Sequence, residues 1–173
     1  MVLKVAGCLM ILLAGTLQGF YYAKRFQKRV VELQDLILAL TSLASYIEHL
    51  AMPLTSALKF SVEGLHGAVY DLFVFTAGQM KTKPDLSWQQ ALAAAWEQSR
   101  NQLSLAEPER HILFALAANL PVLNPNGYSA LFQTTQEQLR EIEKQALVER
   151  EKNVKLFRYL GFCGSLTVVI LLL

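Results

Sequence analysis

The chain has 173 residues, of which 53% are hydrophobic and 17% are charged, and its formal net charge is +2. A mean hydropathy of +0.30 is high for a soluble protein, and the charged fraction lies below the usual quarter. The mild charge and the lack of a basic stripe with interleaved aromatics argue against a nucleic-acid partner. The length suits one compact domain with appendages, and the apolar excess lies at the two ends.

The first apolar segment covers residues 5–23, which contain no charged side chain. Its nineteen residues approach the ~20 that a helix needs to cross ~30 Å of hydrocarbon. A cleaved signal peptide is the alternative, because Lys4 precedes a short apolar core. The run is longer than such a core, and heavier positive charge follows it, at Lys24, Arg25, Lys28 and Arg29. We therefore expect residues 1–23 to form a retained N-terminal transmembrane helix.

The second apolar segment covers residues 159–173 and is uncharged for 15 residues. It can span only if the preceding aromatic and basic residues lie in the headgroup layer, or if the bilayer thins locally. Lys and Arg are concentrated on the inner flanks of both segments, so the positive-inside rule places residues 24–158 in the cytoplasm and both termini outside. The sequence thus predicts a two-pass protein of the cell membrane.

Small residues within the two segments form candidate helix-packing faces. Gly15 and Gly19 make a Gly-x-x-x-Gly pair, and Gly161 and Ser165 make a weaker pair of the same spacing. Gln18 is an amide in an apolar run and would seek a partner across a helix contact. The alternative is that glycine is simply common in membrane helices, and the sequence does not decide between the two.

The middle of the chain begins with a helical seam of apolar residues spaced by three and four. The seam consists of Leu33, Leu36, Leu40, Leu43, Ile47 and Leu50. A coiled coil is one interpretation, but a seam of this length is more often buried in an antiparallel bundle. Pro53 predicts the start of a second helix that ends near Gly64, and residues 67–80 predict a third around a lone acid, Asp71.

Two further helices precede a turn-rich segment. Ser87 and Gln90 have the spacing of a capping box, which predicts a fourth helix that continues through Asn101. A fifth helix is expected to begin near Pro108, and residues 121–127 form a cluster of turn residues. No alternating pattern favours β-strands. The predicted fold is therefore all-α, a small antiparallel helical bundle flanked by N- and C-terminal membrane helices.

The last helix is expected to begin near Tyr128, and no residue breaks it before Leu160. Its second half is charged on most faces, which is typical of a solvated stalk. The functional alternative is a face that docks a partner. The candidate docking residues are Arg140, Glu141, Lys144, Arg150, Glu151 and Lys155.

Catalytic motifs are missing from the sequence. It contains no phosphate-binding loop, no His-Glu-x-x-His motif and no Gly-x-Ser-x-Gly motif. His49, His66 and His111 fall on three different predicted helices without ligand spacing. We therefore expect no enzymatic activity, no catalytic residue, no bound metal and no cofactor, and a role in binding or scaffolding.

Three stretches resemble the stage III sporulation protein AB family of endospore-forming bacteria. They are LLAGTLQGFYYAKR at 12–25, LQDLILALTSLASYIEH at 33–49 and MPLTSAL at 52–58. The resemblance covers essentially the whole chain. It implies similarity to the F component of type II secretion and type IV pilus machines, whose cytoplasmic domain is a small helical bundle.

The same resemblance implies a function. Such a protein would lie in the mother-cell membrane that faces the forespore, as a scaffold of the sporulation channel complex, and would link a secretion-type ATPase to the membrane components. Its partners would be other stage III sporulation proteins, including the ATPase component, together with membrane lipid; self-association stays open. A different hypothesis is a membrane-bound regulatory adaptor that binds a cytoplasmic signalling partner through the charged C-terminal helix.

The two cysteines test the predicted hairpin of membrane helices. Cys8 lies near the outer end of the first segment and Cys163 near the inner end of the second. About ten residues of depth separate them, or ~15 Å, whereas a disulfide requires Cα atoms within ~7 Å. We expect mild oxidation of the membrane-inserted protein to leave both thiols free of an intrachain bridge. A Cys8–Cys163 disulfide detected by non-reducing electrophoresis and peptide mapping would contradict this topology.

Overall fold

The computed structural model describes residues 26–120 and 127–172, with side chains described as far as residue 152. These residues form an all-α fold without strands. Its helices are α1 (Phe26–Glu48), α2 (Leu54–Phe60), α3 (Ala68–Thr82), α4 (Trp88–Ser99), α5 (Glu107–Asn119) and α6 (Tyr128–Leu172). The chain divides into a bundle unit, Val31–Lys144, and an end unit, which comprises Met1–Val30 with Gln145–Leu173.

The predicted seam of α1 is the core of the bundle unit. Leu33, Leu36, Leu40 and Leu43 are all fully excluded from solvent. Their spacing of three and four residues places them on one face of the helix. Burying a leucine side chain contributes about 1.5–3 kcal/mol, so this stripe is a principal source of stability for the bundle.

The seam ends earlier than the sequence predicts. Ile47 is only half-buried, and Leu50 is 61% exposed because α1 stops at Glu48. Ala51 adopts a left-handed conformation with φ of 46°, and the Met52 amide donates to the Tyr46 carbonyl at 3.1 Å. The chain therefore leaves the helix axis, and Leu50 no longer shares the face of the four buried leucines.

The short helix α2 begins directly after Pro53, as predicted. The Pro53 carbonyl accepts from the amides of Ser56 and Ala57, each at 2.9 Å. The helix ends at Phe60, four residues before Gly64, and Gly64 has a φ of 91°. Gly67 precedes α3 with a φ of 94°, so both glycines supply left-handed backbone conformations that other residues rarely adopt.

The predicted capping box opens α4. The Gln90 amide donates to Ser87 Oγ at 3.2 Å, and the Ser87 amide donates to Gln90 Oε1 at 3.1 Å. The helix ends at Ser99, two residues before the predicted end, and its inner face is buried. That face consists of Ala91, Leu92, Ala95 and Trp96.

Helix α5 packs against α4 through aromatic rings. The rings of Trp96 and Phe114 meet edge to face with centroids 6.2 Å apart, and the Arg110 guanidinium lies 5.2 Å from the Phe114 centroid. The start of α5 is fixed by Glu109, whose Oε2 accepts from the Ala106 amide at 2.9 Å. This bond satisfies the Ala106 amide, and the alanine side chain itself provides no acceptor for the amides of the first turn.

Helix α6 begins at Tyr128 and is uninterrupted to Leu172. The sequence predicts both its start and its continuity. Of the predicted membrane segments, residues 5–23 lie outside the described residues, and residues 159–172 are helical with side chains outside the description. Both spans therefore stay predictions.

Within the described residues, one helix is long and apolar enough to cross a membrane. It is α1, whose mean hydropathy reaches 1.4 over a stretch of 18 residues. By itself this gives weak support for membrane association near the N-terminus, because the core helix of a bundle meets the same criteria. In α1 the hydropathy is largely that of the buried leucines.

Two leucines on α1 provide a matched test of the core. Leu36 is fully buried, whereas Leu38 is 56% exposed on the same helix. We expect Leu36→Ala to lower the free energy of unfolding by about 2–5 kcal/mol and Leu38→Ala to change it by less than about 1 kcal/mol. Urea unfolding of the detergent-solubilised chain, followed by fluorescence of the buried Trp88 and Trp96, measures both. Equal losses in the two variants would contradict the assignment of the core face.

Candidate functional site

One face of α6 packs into the bundle unit. Phe132, Thr135 and Leu139 are buried at spacings of three and four residues. The Thr135 hydroxyl donates to the Leu131 carbonyl at 2.7 Å, so its polar group is satisfied within the helix. This stripe fixes the rotation of α6 about its axis and thereby decides which side chains reach solvent.

The opposite side of α6 carries three of the predicted docking residues. Arg140, Glu141 and Lys144 are all exposed, and Lys144 Nζ lies 3.3 Å from Glu141 Oε2. We call these three residues the α6 charged face. Glu143 is half-buried instead, because its Oε1 accepts from Gln34 Nε2 of α1 at 2.8 Å. The bundle unit thus presents charges of both signs on α6, whose other side is buried in the core.

The other predicted docking residues belong to the end unit. Arg150 is half-buried and Glu151 is exposed, while the side chain of Lys155 lies outside the description. In this unit Arg29 Nη1 pairs with Glu149 Oε2 at 3.1 Å. The six predicted docking residues are therefore divided between the two units, and the structure brings three of them together.

The predicted membrane packing residues lie in parts of the chain whose side chains the structure does not describe. Gly15, Gln18 and Gly19 lie outside the described residues, and Gly161 and Ser165 lie where only the helical backbone is described. Their role in helix packing stays a prediction. Cys8 and Cys163 fall in the same parts of the chain.

A groove between α3 and α4 is a second candidate surface. It encloses about 290 Å³ and is lined by Asp71, Val74, Phe75, Gln98, Ser99 and Gln102. Asp71 is exposed and thus lies on the solvent side of its helix. One carboxylate, two side-chain amides, the Ser99 hydroxyl and an apolar floor suit contact with a polypeptide.

Sequence reasoning missed this groove. Asp71, Val74 and Phe75 share a face of α3 by their spacing, whereas Gln98 lies on α4 and Gln102 lies beyond its end. The spacing along α3 could have identified its face. It gives no indication that this face meets Gln98 and Gln102, because that depends on how α3 packs against α4.

A buried carboxylate of α1 was also missed. Glu32 is 4% exposed, and its Oε2 accepts from the Ser104 amide at 2.6 Å. Ser104 lies in the loop between α4 and α5, so this bond attaches that loop to the central helix. A carboxylate that accepts from a backbone amide contributes more than a neutral bond of the same geometry. No local pattern around Glu32 signals its burial.

The carboxyl of Asp35, on α1, has a shifted pKa. The residue is half-buried, and desolvation raises the pKa of its carboxyl above the ordinary 3.8. Burial disfavours the charged form, so the ionised carboxylate present at neutral pH weakens the folded state. The residue lies one position from Gln34, which pairs with α6.

The histidines show no common site. His111 lies on α5, whereas His49 and His66 lie in the segments that follow α1 and α2, so the expectation of three helical positions is wrong for two of them. His49 lies beyond the early end of α1, and His66 lies between Gly64 and Gly67, which both have positive φ values. All three are exposed, and within the described residues no group of three His, Cys, Asp or Glu side chains is placed to hold a metal.

Comparison with known proteins gives consistent matches. The family model for stage III sporulation protein AB matches residues 4–173. A Bacillus subtilis (strain 168) protein described as stage III sporulation protein AB is 28% identical over 174 residues, with 99% of each chain covered. A solved structure of a stage III sporulation protein AB superposes with a TM-score of 0.66 at 22% identity, covering 72% of this chain and 98% of that one. The structural match shows a shared fold.

The raised pKa of Asp35 predicts a pH-dependent effect of its replacement. The native state holds this proton more tightly than the unfolded chain, so stability from this group falls as pH rises from 3.8 through the native pKa. We expect Asp35→Asn to be more stable than the parent at pH 7 and to lose that advantage near pH 3.5. Urea unfolding at both pH values measures this, with Asp85→Asn, at an exposed loop carboxyl, as the control. An equal advantage at both pH values would contradict the burial effect.

Proposed function

Because the chain belongs to the stage III sporulation protein AB family, we propose that it is a non-enzymatic, membrane-anchored scaffold of the complex that connects mother cell and forespore. In this role the bundle unit lies in the cytoplasm of the mother cell. It links a secretion-type ATPase to the membrane components of the complex. Family membership supports a role in sporulation among other stage III proteins.

One observation carries the anchoring part of the proposal. Helix α6 contributes buried side chains to the bundle unit and continues without interruption to Leu172, through most of the uncharged segment at 159–173. A helix that spans lipid must satisfy its backbone hydrogen bonds internally, and a continuous helix does so. The same helix can therefore bear the bundle at one end and enter the membrane at the other.

The α6 charged face supports the linking part. Arg140, Glu141 and Lys144 lie on a helix whose opposite side is buried, so a partner would meet a preformed surface. Charges of both signs favour a specific, oriented contact over non-specific adhesion. The analogy with secretion machines suggests the ATPase component as that partner, and this analogy concerns the fold rather than a demonstrated contact.

Site-specific crosslinking in sporulating cells tests this contact. Glu141 and Glu97 form a matched pair, because each is a helical glutamate in an i,i+3 ion pair, with 61% and 60% of the side chain exposed respectively. We expect a photoreactive residue at position 141 to crosslink to the ATPase component during sporulation. The same residue at position 97, on α4, is expected to give at most a tenth of that yield.

Three outcomes separate the alternatives. Crosslinks of equal yield from both positions, or none from position 141, would contradict docking through the α6 charged face. Crosslinks from position 141 to a different protein in vegetative cells would favour the regulatory adaptor. Normal spore yield after deletion of the gene would overturn the sporulation role itself, since the proposal requires a block in forespore development with vegetative growth unchanged.

A further inference from the structure

The charges of the chain are segregated between its two units. The end unit holds nine Lys and Arg residues against two Glu, a net charge of +7. The bundle unit holds seven Lys and Arg residues against twelve Asp and Glu, a net charge of −5. The overall charge of +2 does not show that the two units carry opposite net charges.

Most positive charges of the end unit lie in two short sets beside the apolar segments. One set directly follows residues 5–23 and contains Lys24, Arg25, Lys28 and Arg29. The other directly precedes residues 159–173 and contains Arg150, Lys152, Lys155 and Arg158. We call these two sets together the basic belt.

An ion pair brings the described parts of the two sets close together. Arg29 Nη1 of α1 lies 3.1 Å from Glu149 Oε2 of α6, so the start of α1, with Lys28 and Arg29, lies beside the part of α6 that carries Arg150 and Lys152. Lys28 and Lys152 are exposed within this unit. Glu149 is engaged with Arg29, which leaves Glu151 as the other acidic residue of the unit.

From this juxtaposition we propose that the basic belt binds the headgroups of anionic phospholipids at the cytoplasmic surface of the membrane. The inference rests on the membrane anchoring in the proposed function. Clusters of four to eight Lys and Arg beside a transmembrane segment attract anionic lipids. The ligand class is a phosphodiester headgroup held in a bilayer, and the adjoining apolar segments favour this source over free phosphate. The acidic bundle unit does not share the preference.

Lipid selectivity of the full chain in a bilayer tests the proposal. The protein is reconstituted into phosphatidylcholine vesicles containing 20 mol% phosphatidylglycerol, and resistance to alkaline extraction is checked first. Spin-labelled phosphatidylglycerol and phosphatidylcholine then report which lipid contacts the protein. We expect a preference of about threefold or more for phosphatidylglycerol at low salt, which approaches unity at about 1 M KCl because charges are screened.

Matched variants locate the effect. Lys28→Gln with Lys152→Gln removes two charges of the belt and should reduce the preference at least by half. Lys81→Gln with Lys83→Gln removes two exposed charges of the bundle unit and should leave it unchanged. Circular dichroism of each double variant should match that of the parent chain.

Four results would contradict lipid binding by the basic belt. If the membrane-integrated protein shows no preference for phosphatidylglycerol at low salt, lipid binding by the basic belt is contradicted. Equal losses of the preference in both double variants would contradict it too. Neither result affects the proposed scaffold role. Displacement of spin-labelled lipid by inorganic phosphate at constant ionic strength would show a site for free phosphate instead. Complete alkaline extraction would overturn both the anchoring and the belt.

Discussion

The bundle depends on the burial of one face of α1. Its four leucines at positions 33, 36, 40 and 43 are fully excluded from solvent, and the same helix makes polar or aromatic contacts with three other parts of the bundle. Glu32 accepts from the Ser104 amide, Gln34 pairs with Glu143 of α6, and Tyr46 packs against Phe60 of α2. Helix α1 therefore contacts α2, α6 and the α4–α5 loop, and its apolar character follows from its buried face.

The packing of the bundle fixes the geometry of two candidate surfaces. The α6 charged face is oriented because Phe132 and Leu139 fix the opposite side of the helix in the core. The groove beside Asp71 is likewise set by the packing of α3 against α4. Surfaces on packed helices keep their geometry before a partner arrives, which lowers the ordering cost of association.

Local signals in the sequence predicted the elements well. The leucine spacing identified the buried face of α1, the Ser87–Gln90 pair identified the start of α4, and the unbroken run after Tyr128 identified α6. Each of these depends on residues within about one or two helical turns. The early end of α1 was missed because Ala51 adopts a left-handed conformation that nothing in its residue type requires.

Features that depend on tertiary packing could not be predicted from the sequence. In the sequence, Glu32 has the character of a solvated acid, because its burial depends on the α4–α5 loop that packs over it. Gln98 and Asp71 have the character of ordinary surface residues on separate helices. The docking residues on α6 were predicted as one set, but the division of the chain into two units separates Lys144 from Arg150. The family resemblance identified the protein class, and the fold shared with a solved relative agrees with it.

We propose that the helical bundle is held at the cytoplasmic face of a membrane by apolar segments at both ends. Cysteine labelling in intact vegetative cells that express the chain tests this most directly, because no forespore then covers the outer face of the membrane. Cys8 and Cys163 are replaced by serine in this chain. A cysteine at the exposed position 97 of the bundle should resist an impermeant maleimide until the cells are permeabilised, whereas one at position 2 should react at once. Labelling of position 97 in intact cells would contradict the cytoplasmic position of the bundle. Recovery of the chain in the soluble fraction would contradict the membrane anchoring.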